Sequence, residues 1–401
     1  MTAIRKELVP GTNESESVRG KPRMRVLFLL PTLGGGGAER VIATLVETLD
    51  RHRFEPHVGL LNFAGPHLKE IPPEVTLHDL RVRRVRYALP AIIRLVWNLR
   101  PQVILSTLGH LNFLLILSRP FLPKQTKLLV REATTVSAHL QHGVRAVGLW
   151  TWLYRHLYKR ADKVVCLSEH MVADLHENFG VPLQKLVCIH NPIDVAWIRS
   201  MAEASGNPYK GRGPHLLAVG RLSWEKGFDL LVEAMPYIRK QFPHARLTIL
   251  GQGPLESNLT VQRELLGLRE VVDFPGFRAN PYPLFKYADL FVLSSRYEGL
   301  PNAALEAIGL GTPVVATNCI ESLKEVVHPT YPHLLLCPPT TECLADSILS
   351  VLAGGRNSER RNATWPTWLS HTLEVSYAVR AYEGLFLSQL NPTPARAHHV
   401  E

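Results

Sequence analysis

The chain predicts an α/β protein built as two doubly wound halves. Three observations carry that reading. Short, continuous apolar runs at residues 24–31, 127–130, 215–220, 246–250 and 289–295 have the length and the lack of alternation expected of parallel strands buried on both faces. Amphipathic stretches of helical period follow them, as at residues 38–49 and 228–242. Glycines, prolines and charged residues gather just after the runs, at the strand ends where open α/β sheets bind ligands.

In the first half, strand 24–31 runs into a loop containing Gly34, Gly35, Gly36 and Gly37 and then into helix 38–49. A dinucleotide fingerprint of the Gly-x-Gly-x-x-Gly type fails here on spacing. Counted from Gly34 its third glycine would be Glu39, and counted from Gly35 it would be Arg40. The second strand, near residues 55–62, also lacks the terminal acid that would hold the ribose of NAD. Residues 103–122 are the most apolar stretch. His110, Asn112, Arg119 and Pro120 interrupt it, so it falls short of the roughly 18 apolar residues of a membrane span and reads as strand, turn and helix.

The second half holds three ligand-facing strand ends. Strand 215–220 ends at Gly220 and is followed by Arg221 and Lys226, a planar fork and a point charge that together can clamp a diphosphate. Strand 246–250 leads into Gly251 and Gly253, where the backbone can come close to a ligand. Strand 289–295 is followed by Glu298, Gly299, Leu300 and Pro301, and a helix then starts near Asn302 and carries Glu306. The first backbone N–H groups of that helix favour an anion. Two carboxylates eight residues apart cannot themselves bind phosphate. They suit the hydroxyls of a sugar nucleotide, Glu298 those of the transferred sugar and Glu306 those of the ribose.

The order of these elements resembles the retaining, nucleotide-sugar-dependent glycosyltransferases of GT-B fold, specifically family 4, the glycogen-synthase-like group. The likeness runs from about residue 24 to about residue 390. It includes the strand that ends at Ser168 and the boundary Asn191 and Asp194. It implies two Rossmann-like domains, with the loop of Gly36 and Gly37 lining the cleft opposite the nucleotide and the backbone around Phe277 and Arg278 reading the base. Retention of configuration is implied by the resemblance, not by spacing. Many members place a His after the strand that aligns with residues 127–130, whereas this chain has Arg131 and Glu132. Glu132 could take over, or His110 could enter the cleft from the preceding strand end, or neither.

The expected activity is therefore a metal-independent hexosyl or N-acetylhexosaminyl transfer from a UDP- or GDP-sugar to a glycan or a polyprenyl-pyrophosphate-linked glycan. No other cofactor is expected, since there is no Asp-x-Asp motif and the 18 histidines show no ligand spacing. A glycan phosphorylase and an inactive nucleotide-sugar binder are the alternatives.

With 401 residues, 46% of them hydrophobic, the chain can bury two cores. The expected division is a mobile tail at 1–23, an acceptor-side domain at 24–200, a linker at 201–214 and a nucleotide-sugar domain at 215–371. A helix at 372–390 then packs back on the first domain, and a tail follows at 391–401. Five cysteines without a Cys-x-x-Cys pair, and a start without an apolar signal core, point to the cytoplasm. The net charge is +10, and its excess gathers in the first half. Residues 81–100 contain six Arg and no acid, and residues 144–160 mix Trp150, Trp152, Tyr154 and Tyr158 with Arg and Lys. Such segments suit peripheral contact with an anionic leaflet at the inner face of the plasma membrane, or a pyrophosphate-linked lipid. No nucleic-acid motif is present.

Overall fold

The computed structural model describes residues 22–143, 146–327, 331, 333–354 and 373–390. The expected tails at 1–23 and 391–401 lie outside it, except for residues 22 and 23, as does the end of the second half at 355–371.

Two parallel sheets organise the chain. The first contains β1 (Met24–Leu30), β2 (Phe54–Leu60), β3 (Thr76–Asp79), β4 (Val103–Thr107), β5 (Lys127–Arg131), β6 (Lys163–Cys166) and β7 (Leu186–Cys188), in the order β3-β2-β1-β4-β5-β6-β7. The second contains β8 (His215–Val219), β9 (Arg246–Leu250), β10 (Val272–Gly276), β11 (Leu290–Leu293), β12 (Val314–Thr317) and β13 (Leu334–Cys337), in the order β10-β9-β8-β11-β12-β13. In each sheet the order reverses beside the first strand, between β1 and β4 and between β8 and β11, which opens a crevice at the carboxyl ends of those strands.

Strand alternation explains the double burial. Val26, Phe28 and Leu30 of β1 enter one apolar layer, and Leu27 and Leu29 enter the other. In β8, Leu216 and Ala218 face one layer while Leu217 faces the opposite one.

The helices of the first half are α1 (Gly37–Thr48), α2 (Leu89–Leu99), α3 (Gly109–Ser118), α4 (Val136–Gly143), α5 (Val147–Leu157), α6 (Glu169–Glu177) and α7 (Val195–Glu203). Helix α7 extends into the first residues of the expected linker, capped by Asp194, whose side chain accepts the backbone N–H of Trp197. The second half contributes α8 (Phe228–Gln241), α9 (Glu256–Leu265), α10 (Tyr282–Tyr287), α11 (Asn302–Gly309), α12 (Glu321–Val326) and α13 (Thr341–Ala353). Last comes α14 (Val375–Ser388), which packs on the first sheet. Its Phe386 meets Phe28 and Phe54 edge-on, with ring centroids 6.2 and 6.1 Å away.

The aromatics of residues 144–160 divide between core and surface. Tyr154 and Tyr158 are buried against Phe113, whereas Trp152 points outward. Among the described residues no helix is long and apolar enough to cross a membrane.

Candidate active site

The C-terminal wall of the crevice is built from the loops after β8, β9 and β11. The loop after β8 makes a short 3-10 turn at Trp224–Lys226. It is tied to the loop after β11 by Arg296, whose guanidinium forks onto Asp229 at 2.9 and 2.6 Å and donates to the Trp224 carbonyl at 2.7 Å. The Trp224 ring lies 4.5 Å below the same guanidinium. This strap sets Lys226 against Glu298, with Nζ 2.5 Å from Oε1, and the Ser295 hydroxyl donates to that oxygen at 2.8 Å. Lys226 is thus paired with the neighbouring carboxylate.

Gly251 takes φ 134°, a conformation that glycine favours, and a Cβ there would strike the Gly220 carbonyl. This brings the ends of β8 and β9 together. Gly253 backs onto Leu222, and Gly220 leaves room for the Lys226 methylenes. Leu300 and Pro301 are buried ahead of α11, while Arg221, Phe277 and Arg278 are exposed.

Glu306 lies on α11 with its side chain 13% exposed. Its Oε1 accepts from Arg40 Nη1 at 3.1 Å and from the Tyr282 hydroxyl at 3.4 Å. Burial pushes the Glu306 pKa up, while the charge of Arg40 and the bond from Tyr282 oppose the rise.

The N-terminal wall closes directly on these groups. Gly35 backs onto the Phe277 ring, and Gly37 approaches the Asn302 amide. Gly36 packs over the carboxylate of Glu39, whose pKa is raised by burial and lowered in part by its own backbone N–H and by His67, Arg131 and Arg221. Asn191 Nδ2 donates to Asn302 Oδ1 at 2.9 Å, and its own amide oxygen accepts from the fully buried Arg131, which also donates to Thr107 Oγ1 at 3.2 Å. Thr134 bridges Gly299, where a Cβ would collide with the Ala133 carbonyl. The Thr135 hydroxyl donates to the Glu298 carbonyl at 3.1 Å, and His139 Nδ1 lies 3.2 Å from the Tyr297 hydroxyl. Burial lowers the His139 pKa and so favours the neutral ring.

Of the two alternatives for the sugar contact, Glu132 is excluded by its burial. Glu132 does not line the crevice. It is 3% exposed, its Oε1 accepts from Asn112 Nδ2 at 3.0 Å and from the Tyr158 hydroxyl, and burial raises its pKa to about 8. The strand's alternation turns it into the layer beneath α3 and α5. His110 is exposed at the start of α3 but stacks on Trp150 at 5.0 Å. Instead, the Tyr297 and Glu298 segment is reached from the first half by Thr135 and His139, four residues apart on one face of α4 and its entry, and by His142, whose ring stacks on Tyr297 at 6.4 Å. Among the described residues no cluster of His, Cys, Asp and Glu could hold a metal ion.

Two family models match the chain: Glycosyltransferase Family 4 over residues 35–197 and Glycosyl transferases group 1 over residues 203–364. A Campylobacter jejuni protein, N-acetylgalactosamine-N,N'-diacetylbacillosaminyl-diphospho-undecaprenol 4-alpha-N-acetylgalactosaminyltransferase, is 28% identical over 307 residues, 74% of this chain and 81% of that one. Sucrose-phosphate synthase from Thermosynechococcus elongatus superposes with a TM-score of 0.73 at 17% identity, covering 92% of this chain and 100% of that structure. HepE of Anabaena in complex with UDP does so at 0.69 and 18%, covering 91% and 100%. The structural likenesses show the fold, two Rossmann-like domains in the GT-B arrangement.

Proposed function

Since this chain belongs to glycosyltransferase family 4, the group 1 enzymes, a family of retaining hexosyltransferases that take sugars from nucleotide donors, we propose that its acceptor is a polyprenyl-diphosphate-linked glycan and its donor a UDP- or GDP-linked hexose or N-acetylhexosamine. The observation that carries the donor side is the Lys226–Glu298 pair beside the start of α11, with Glu306 further along the same helix. Glu298 accepts from hydroxyls of the transferred sugar and Glu306 from the ribose. Arg221, Lys226 and the start of α11 take the diphosphate as the bond to the sugar breaks. A phosphate oxygen of the leaving group accepts the proton of the incoming hydroxyl on the same face, so the configuration is retained and no strong protein base is required. Closure of the glycine loop keeps water from the donor.

The acceptor side is supported by an exposed stretch of the first half. Tyr87, Trp97 and Phe121 are exposed at 63%, 45% and 56%. Trp97 Nε1 donates to the Phe121 carbonyl at 2.8 Å, and Arg83, Arg94 and Lys124 are exposed in the same stretch of chain. Interfacial aromatics interleaved with cations fit an anionic leaflet that carries the lipid-linked glycan. The name of the Campylobacter relative includes such an acceptor, a diphospho-undecaprenol.

Thermal unfolding against UDP, GDP, ADP and their sugar conjugates tests the donor side. A nucleotide at a hundred times its dissociation constant should add about 2.7 kcal/mol, and Arg221→Ala should lose that gain. If no nucleotide shifts the transition, the donor assignment fails. Transfer of labelled sugar to an undecaprenyl-diphosphate saccharide in anionic vesicles, compared with the same saccharide free in solution, tests the acceptor. Equal rates would remove the lipid-linked part.

A further inference from the structure

Arg40 leaves the N-terminal wall in the first turn of α1 and crosses the crevice. Its guanidinium donates to Glu306 Oε1 at 3.1 Å and to the Tyr282 hydroxyl, and it lies over the Trp197 ring at 4.7 Å and the Tyr282 ring at 5.4 Å. One long side chain is thus held by α7, α10 and α11 together, which fixes the plane of its fork. The described contacts of Glu306 all fall on Oε1. Oε2 is the oxygen left to accept from a vicinal diol.

A carboxylate buried this deeply needs a counter-charge to stay ionised. Among the described residues its counter-charge is Arg40, on the opposite wall, which departs with α1 when the walls separate. The other groups electrostatically coupled to this pair are Tyr282, which donates to Glu306, and Glu70, which acts on Arg40.

We propose that Arg40 is a positioning residue for the donor, orienting Glu306 toward the nucleotide ribose only when the crevice is closed, so that recognition of the ribose and closure are one event. Arg40 has this role only if Glu306 reads the ribose, as assigned above. Open protein then presents a carboxyl poorly suited to the diol, and bound nucleotide favours the closed state through this single contact.

Isothermal titration of UDP, GDP and ADP from pH 6 to pH 8.5 identifies the nucleotide that binds. The same titration is then run with Arg40→Gln, with Arg40→Lys and with the 2′-deoxy nucleotide. The unaltered protein should bind with little pH dependence. Arg40→Gln should bind roughly tenfold more weakly at pH 6, a change equivalent to about one unit of pKa, and recover as Glu306 ionises unaided at higher pH. Arg40→Lys, which keeps the charge, should restore most of the flat profile. In a Glu306→Gln background Arg40→Gln should cost nothing further. A loss independent of pH, or an equal loss in the Glu306→Gln background, would overturn the role of Arg40. If Glu306→Gln leaves the preference for ribose over 2′-deoxyribose intact, the ribose assignment itself falls and the role of Arg40 with it. Absence of binding by all three nucleotides would remove both.

Discussion

Each wall of the crevice carries a glutamate just past the end of a parallel strand, and the two behave oppositely. Glu298, after β11, is paired with Lys226 and belongs to the crevice. Glu132, after β5, is sealed beneath α3 and α5 with Asn112 and Tyr158 as partners, and its pKa rises to about 8. A strand end supplies only the position. Whether the carboxyl stays charged and available, or becomes a neutral strut, depends on what lies opposite its side chain.

Exchanging Glu298→Gln is the most forceful way to break that contrast. It keeps the shape and removes the charge. Transfer should fall on the order of 100- to 1000-fold in kcat, the size typical of one preorganised electrostatic contact, with nucleotide affinity within a few-fold. Full activity would make Glu298 a strut as well.

The opposite exchange, Glu132→Gln, sharpens the contrast through pH. The folded pKa of Glu132, about 8, lies above its ordinary value of 4.5, so the native state holds a proton that the unfolded chain releases. Its contribution to stability is complete below pH 4.5 and is lost as pH rises toward 8, by at most about 1.4 kcal/mol per pH unit. Denaturant unfolding should show that decline in the unaltered protein, and a shallower one in the variant. Parallel slopes would mean that Glu132 is not neutral.

Gly299→Ala probes the junction of the walls. Its methyl group would run into the Ala133 carbonyl, and resisting closure should cost about 1–3 kcal/mol, seen as a lower kcat/KM and a larger radius of gyration with nucleotide bound. An unchanged radius would show that the junction yields. The smallest effect is expected from Thr135→Val, which deletes one hydrogen bond to the Glu298 carbonyl. Worth about 1 kcal/mol, it should lower kcat/KM about fivefold, and a change below twofold would assign the contact to packing alone.

The C-terminal wall was readable because its chemistry is local. Ser295, Glu298 and the start of α11 lie on one strand, turn and helix, so spacing along the chain is close to spacing in the molecule. The strands were readable for the same reason, since β1, β5, β8, β9 and β11 coincide with continuous apolar runs. The N-terminal wall resisted because its groups acquire a role only by meeting the other half. Arg40 figured in the sequence only as the residue that spoils a dinucleotide fingerprint, and Thr135 and His139 carried no signal of their own. Glu132 was misplaced although a clue existed: Leu128 and Val130 share its parity and enter the layer beneath α3, so the alternation of β5 already pointed it inward.

Helix α14 has a consequence for how the molecule is made. Phe386 covers Phe28 and Phe54 on the first sheet, yet it is among the last of the described residues to leave the ribosome. The half that is synthesised first is therefore finished last. Its Val26, Phe28 and Leu30 layer, covered in part by Val41, Leu45 and Val46 of α1, lacks its Phe386 cover until α14 is made, while the second sheet and its helix α13, made from one contiguous stretch, can assemble beforehand. A nascent chain stalled before α14 would leave Phe28 and Phe54 without their Phe386 cover beside a second sheet that is already complete.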